Sequence, residues 1–235
     1  MKPTIITSLL LLLFLHSNAQ SNFYKIGIGG GVGYTQSYTD VAKHSRGVAG
    51  YGVIDYFFTP FLSLGGEGQM GQIAGGDIKT DVNNRQFVND YKAVSLNGKL
   101  YLGGVLNYDF NPFANAIKGL YVGSGIGIMQ NKLTAIVRKQ PGTGYIFPGT
   151  NASREVFFPL NLWINFYFPD HLGDYRYVVN VNFQGNVSLG EGMDGYDDSP
   201  IKFKNTSPDI YSYFSVGFRY NIGPIGLSQK TFRRP

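Results

Sequence analysis

The stretch Ile210 to Ile222, IYSYFSVGFRYNI, decides the fold. Read at every second residue, one face carries Ile210, Ser212, Phe214, Val216, Phe218, Tyr220 and Ile222. The other carries Tyr211, Tyr213, Ser215, Gly217, Arg219 and Asn221. A period of two is the signature of a strand, because successive side chains leave opposite faces of the pleat. An oily face ending in aromatics, set against a small and polar face, suits a strand with lipid on one side and a wet lumen on the other.

Composition agrees. Aromatics make up 15% of the 235 residues, with 17 Tyr, 18 Phe and one Trp, and glycine contributes 32 residues. So much glycine and tyrosine would weaken a helix-rich fold. Charged residues are only 15%, against roughly 25% in soluble domains. The mean hydropathy of −0.10 fits alternating faces better than apolar blocks. There is no cysteine, which removes disulfides, thiolate nucleophiles and cysteine metal sites. The net charge of +5 is dispersed, with no basic stripe to suggest nucleic acid.

At the start of the chain, Lys2 precedes the apolar run Ile5 to Leu15 and then His16-Ser17-Asn18-Ala19. This reads as a secretory signal peptide over 1–19, cut after Ala19. The run is too short for a spanning helix, which needs about 20 apolar residues.

The same alternation recurs along the chain. It predicts strands over 23–37, 47–58, 62–73, 93–108, 119–129, 156–168, 175–189 and 210–222. Pro159 lies within the sixth, where the missing N–H predicts a bulge or irregularity. The links 59–61, 109–118 (with Asn111-Pro112 as turn signal) and 169–174 are shorter than 74–92, 131–153 and 190–209, the short-turn, long-loop alternation of a membrane barrel. Taken together, 20–222 reads as an all-β, eight-stranded antiparallel up-and-down transmembrane barrel. An even strand count leaves both ends on the periplasmic side. A basic periplasmic tail, 223–235, follows, with Pro224 ending the strand and Lys230, Arg233 and Arg234 supplying charge.

Once apolar residues set the outward parity, Lys25, Glu67, Lys99, Arg176 and Arg219 all fall inward, and Asp55 is assigned there with them. A lysine or arginine facing mid-membrane lipid would cost about 2–4 kcal/mol. These six form the expected lumen charge network, with Glu67 and Lys99 paired across the third hairpin. Tyr24, Tyr56, Phe58, Tyr108, Phe166, Phe168, Tyr175, Tyr177 and Tyr220 gather near the periplasmic rim as an aromatic belt. A soluble lipocalin-type barrel would need a charged outer face, and the polar faces here are mostly Gly, Ser, Asn and Tyr.

Two segments carry a family resemblance. Gly50 to Gln72 puts an Asp-Tyr-aromatic strand end before a short turn and a strand bearing an inward Glu. Ser215, Gly217, Tyr220 and Ile222 are similar to the last-strand assembly signal of polar, Gly, aromatic and hydrophobic positions. Both resemble the OmpA-transmembrane/OmpX-like small outer-membrane β-barrels of Gram-negative bacteria. The resemblance implies the cell outer membrane, insertion by the barrel-assembly machinery, and a structural or surface-interaction role. Members without a further domain usually stop at the last strand, whereas this chain runs on.

An eight-stranded barrel has an interior just wide enough for side chains, so a general porin is not expected. Two further classes stand beside this: an accessory barrel of an assembly or secretion machine, acting through loops or tail, and a lipid A-modifying enzyme, which two relatives of similar size are. His44 and Ser45, with Asp40, Asp77 and Asp81, are the residues a lipid-modifying site would draw on. They lack a fixed spacing, and no catalysis is assigned. Lys132, Arg138, Lys139 and Arg154 are candidates to meet anionic lipopolysaccharide. Glu191, Asp194, Asp197 and Asp198 read as a solvated acidic loop rather than a calcium loop, since the spacing is not that of an EF-hand. No cofactor or metal is expected.

Overall fold

The computed structural model describes residues 21–41, 43–105, 112–197 and 208–228. The segment 1–19, and with it the expected signal peptide, lies outside them, as do Leu106, Tyr108, Asn111, Asp198, Lys230, Arg233 and Arg234. Eight strands follow in order: β1 (Ser21–Tyr38), β2 (Arg46–Thr59), β3 (Leu62–Gly76), β4 (Gln86–Tyr101), β5 (Leu120–Ile136), β6 (Ala152–Pro169), β7 (Tyr175–Ser188) and β8 (Ile210–Ser228). Each is antiparallel to its neighbour. β8 pairs with β1 from Tyr38↔Ile210 down to Ser21↔Ser228, so the sheet closes into a barrel without edges.

The links 60–61, 102–119 and 170–174 share one end of the barrel with both described chain ends. The links 39–45, 77–85, 137–151 and 189–209 share the other. Strands of 14 to 19 residues exceed the about 9–11 that cross a bilayer, so the wall continues beyond the membrane.

Several boundaries move, each for a local reason. β4 starts at Gln86 and β5 continues to Ile136, because 86–92 pair with 70–76 and with 130–136 above the apolar band. The second and third loops shorten accordingly. At the other end β4 stops at Tyr101 rather than 108. Gly103 packs against Phe61, where a Cβ would come within 2.5 Å of the ring, and its N–H donates to the Lys118 carbonyl at 3.1 Å. The chain turns under the rim there, through a 3-10 turn (Leu102–Gly104) and a short helix α1 (Pro112–Ile117).

Pro224 does not end β8. The β1–β8 register slips between Tyr24 and Ile26, and pairing resumes at Tyr24↔Ile225. Gly223, at φ 88°, takes the left-handed conformation this bulge needs. The first part of the expected tail, 223–228, is therefore strand, and Pro224 sits in the bulge, where its missing N–H breaks no ladder bond. Pro159 causes no register shift. On the β7 side it stays paired with Asn186. The β5–β6 ladder is interrupted between Ser124↔Leu160 and Gly127↔Phe157.

Candidate functional site

The outer wall comes first. Val32, Val94, Met70, Ile128 and Ile54 point away from the barrel and are 69%, 69%, 64%, 62% and 61% exposed. Leu160, Leu162, Phe183, Val216 and Phe218 are exposed beside them. An uninterrupted oily surface around a whole barrel has no counterpart on soluble monomers. The charges are on the other side of the same strands: Asp55, Arg219, Lys99 and Glu67 face inward at 0%, 1%, 2% and 3% exposure. Toward the short-turn end the outer wall becomes aromatic. Tyr56 and Phe58 meet at 5.2 Å and Tyr177 and Tyr220 at 5.6 Å, with Phe166 and Phe168 exposed nearby.

This is a transmembrane β-barrel. Oily wall, aromatic girdle, even strand count and short-turn, long-loop asymmetry together define the outer-membrane type.

The lumen is filled. Gly31 and Gly217 face each other across β1 and β8, and a Cβ on Gly31 would meet the Tyr51 ring at 2.7 Å. The glycine face of β1 thus leaves room for bulky side chains from across the barrel. Tyr51 takes that space, donating to Asn180 Oδ1 at 2.8 Å and meeting Trp163 edge-on at 5.8 Å. Trp163 stacks on Tyr121 at 5.4 Å, and Tyr121 contacts Tyr101 at 4.6 Å. Toward the loops, Tyr91 and Tyr211 close the next tier at 5.5 Å. At the short-turn end a cleft of about 40 Å³, lined by Phe57, Tyr167, Tyr175, Arg219 and Asn221, has room for only a few waters.

The buried charges form a triad. Asp55 Oδ1 accepts from Lys99 Nζ at 2.6 Å and Oδ2 from Arg219 Nη1 at 3.2 Å. Arg219 also lies over the Phe57 ring and Lys99 over Trp163. The expected Glu67–Lys99 pair is not formed. Register sets Glu67 opposite Ser95 and Lys99 opposite Ser63, a four-residue offset of about 13 Å. Asp55, opposite Gly65, lies between them and takes the lysine. Glu67 instead accepts from Gln69 at 2.6 Å and Gln184 at 3.3 Å.

Arg176 and Lys25 also leave the expected network. The β6–β7 register shifts between Phe168 and Pro169, with Phe168↔Tyr177 followed by Pro169↔Tyr175. Arg176 is the extra residue, and it turns out to the rim. There it donates to the Tyr24 and Tyr220 hydroxyls and pairs with Asp170 at 3.1 Å. The same shift turns Tyr175 inward against Tyr167, out of the aromatic belt. Lys25 sits on β1 opposite the β8 bulge, half-buried and, among the described residues, outside the ion pairs.

At the loop end, one residue gathers all four loops. Arg85 pairs with Asp81 in the second loop at 3.7 Å and donates to the Asp40 carbonyl of the first. It lies over Phe147 of the third at 5.9 Å and Tyr196 of the fourth at 5.6 Å. Tyr196 then donates to the Val137 carbonyl at 2.8 Å. Among the described residues the four loops meet in one packed cap over the lumen.

In the acidic fourth loop Glu191 and Asp197 are exposed, as expected of solvated acids, whereas Asp194 is not. Met193, Asp194 and Tyr196 are buried, and the Asn89 side chain donates to the Met193 carbonyl at 2.9 Å. Asp209, also buried, accepts from the Met193 N–H at 3.1 Å. Burial, then the nearby Asp194, Glu155 and Glu191, push its carboxyl up to about 9. A raised folded value means the folded state binds the extra proton between about 4 and about 9, so stability falls as pH rises through that window. Hydrogen exchange at 189–197 should therefore quicken from pH 5 to pH 9, and Asp209→Asn should flatten that rise. Equal pH dependence in both proteins would refute the assignment. Among the described residues no group of three or more His, Asp or Glu is gathered as a metal site.

Three of the residues a lipid-modifying site would draw on, His44, Asp77 and Asp81, make other contacts. His44 is exposed and packs on Tyr38 at 5.0 Å. Asp77 pairs with Lys43 at 2.6 Å, and that hydrogen bond holds its carboxyl below the usual range. Asp81 accepts the Asn83 and Arg85 N–H groups at 2.9 and 3.0 Å. Of the four lipopolysaccharide candidates, Lys132 and Arg154 face out from the barrel wall. Arg138 turns to the Thr150 carbonyl at 2.7 Å, and Lys139 bridges to Ile146 within the third loop. Ser215 and Gly217 of the assembly-signal pattern face inward and Tyr220 and Ile222 outward. The pattern stands in the middle of β8, because the strand runs on to Ser228.

No protein-family model and no curated sequence matches the chain. Among solved structures it is similar to Neisserial surface protein A, at 6% identity and TM-score 0.48 over 87% of this chain and 99% of that one. It is similar also to Ail, the attachment invasion locus protein of Yersinia pestis, at 11% identity and TM-score 0.45 over 85% and 99%. A third is the N-terminal β-barrel domain of Pseudomonas aeruginosa OprF, at 12% identity and TM-score 0.39 over 84% and 98%.

Proposed function

We propose that this protein is a sealed outer-membrane barrel whose role is structural and surface-interactive, with the joined loops as the presented face. The observation that carries this reading is the filled lumen. Trp163, Tyr51, Tyr91, Tyr101, Tyr121, Tyr211 and Tyr213 are each no more than 7% exposed inside the wall. The Asp55 triad ties that filling to three strands, β2, β4 and β8. Solute flow needs a continuous wet path, and eight strands leave space only for side chains. Above the lumen, Arg85 joins the loops into one surface, and a pre-ordered surface gives up less conformational entropy on binding than four separate loops would.

Planar-bilayer recording of the full chain tests this. The expected trace shows no unitary conductance steps at any holding potential that leaves the bilayer intact. Regular steps that persist after repurification would overturn the sealed-barrel reading.

A further inference from the structure

We propose that the outer wall of β4, β5 and β6 carries a binding site for a membrane glycolipid with more than one phosphate, in the leaflet on the loop side. The proposal rests on the transmembrane reading and adds a ligand to it.

The register builds the site. Lys92 stands opposite Gln130, and Gln130 opposite Arg154, all on the outward face. One step toward the loops, Lys132 projects from β5 between Asp90 and Ala152. The row just below is Val94, Ile128 and Val156, which are 69%, 62% and 37% exposed. On β4 the step from oily to charged therefore falls between Val94 and Lys92, about ten residues above the turn at Leu102, which is the length of one membrane crossing. The cations thus stand where acyl chains give way to head groups.

Their freedom matters as well. Among the described residues Lys92, Lys132 and Arg154 are in no ion pair. The one carboxylate on this face, Asp90, accepts from Gln72 Nε2 at 2.9 Å. Counting it, the patch keeps a surplus of two positive charges. On the β3 side the outer row offers Met70 and Gln72 rather than further acids; on the β7 side the Leu189 N–H donates to the Val156 carbonyl, and the exposed Glu191 follows two residues on.

Spacing selects the ligand class. Lys92 and Arg154 are two strands apart, about 9.6 Å at the backbone, and Lys132 rises above the gap. A head group with a single phosphate would satisfy one end of this arrangement. A sugar head group phosphorylated at two points spans it, while its acyl chains lie along Val94, Ile128 and Val156. Arg138 is turned to the Thr150 carbonyl, and Lys139 stands in the third loop, past the end of β5 and outside this patch, so neither is part of the site.

The test uses the full chain in phosphatidylcholine nanodiscs doped with a bis-phosphorylated glycolipid, the same glycolipid after phosphatase treatment, or phosphatidylglycerol. The readout is the thermal unfolding midpoint, with retained lipid counted by native mass spectrometry. The bis-phosphorylated lipid should raise the midpoint and stay bound. Lys92→Gln/Lys132→Gln/Arg154→Gln should lose at least tenfold in retained lipid, and Lys139→Gln should lose nothing. Should the glutamine triple fail to fold, the charge-keeping Lys92→Arg/Lys132→Arg/Arg154→Lys must retain the lipid. Four outcomes overturn the proposal: full retention by the glutamine triple, loss by the charge-keeping triple, an equal shift from the dephosphorylated lipid, or an equal shift from phosphatidylglycerol. The same shift from inorganic phosphate alone would also overturn it, by reducing the site to a simple anion site.

Discussion

Asp55→Ala should destabilise the barrel by about 3–5 kcal/mol or more, because it strands two buried cations where one carboxylate had balanced them. Lys99 and Arg219 lie at 2.6 and 3.2 Å from that carboxylate, in a lumen where their side chains are 1% exposed. Lys99 is packed over Trp163 and Arg219 over Phe57, so neither cation can swing out to bulk solvent without disturbing a ring. The reverse changes should cost less. Lys99→Met or Arg219→Met leaves Asp55 one partner, so each is expected to lose about 1–3 kcal/mol, mostly from packing. Urea unfolding in lipid vesicles, followed by the mobility shift of folded barrel, gives the ranking. If Asp55→Ala proved milder than either methionine variant, the triad would not be the electrostatic centre of the lumen.

Trp163→Ala should cost a similar amount, about 3–5 kcal/mol, by a different route. Trp163 is 2% exposed. Its ring touches Tyr51 and Tyr121, Lys99 Nζ lies over it at 5.3 Å from the ring centroid, and its indole N–H donates to Asn161 at 3.2 Å. Removing it opens a cavity that neighbours held in a hydrogen-bonded sheet cannot collapse. The cost should appear as a lower urea midpoint with unchanged slope. The variant should still not conduct, since the Tyr91–Tyr211 tier and the Arg219–Tyr101 contact close the lumen on either side. A conducting Trp163→Ala protein would show that one side chain alone sealed the barrel.

The two predictions differ in how far the sequence reveals them. That Arg219 and Lys99 face inward follows from parity, which is local. That Asp55 rather than Glu67 binds Lys99 follows from register between β2, β3 and β4, which no single strand contains. Arg176 shows the limit more sharply. Its parity points inward, yet one extra residue at the β6–β7 junction turns it to the rim beside Tyr24 and Tyr220. Pro224 marks the same limit, since a proline ends a strand unless a bulge in that strand absorbs it.

The loop end was the least legible part. Asp194 and Asp209 look like solvated acids in the sequence, and Arg85 like an ordinary surface arginine. Their burial depends on contacts between loops far apart in the chain, such as Arg85 with Tyr196 and Asn89 with Met193.

The sequence by itself determined the class of object. Alternation at period two needs only adjacent residues, and it placed oil outside, charge inside and long loops at one end. The tertiary structure decided who meets whom: the Asp55 triad, the capped mouth and the cation row of Lys92, Lys132 and Arg154. Side-chain direction is a property of one strand, whereas partnership depends on the stagger between strands, and a single bulge can reset that stagger.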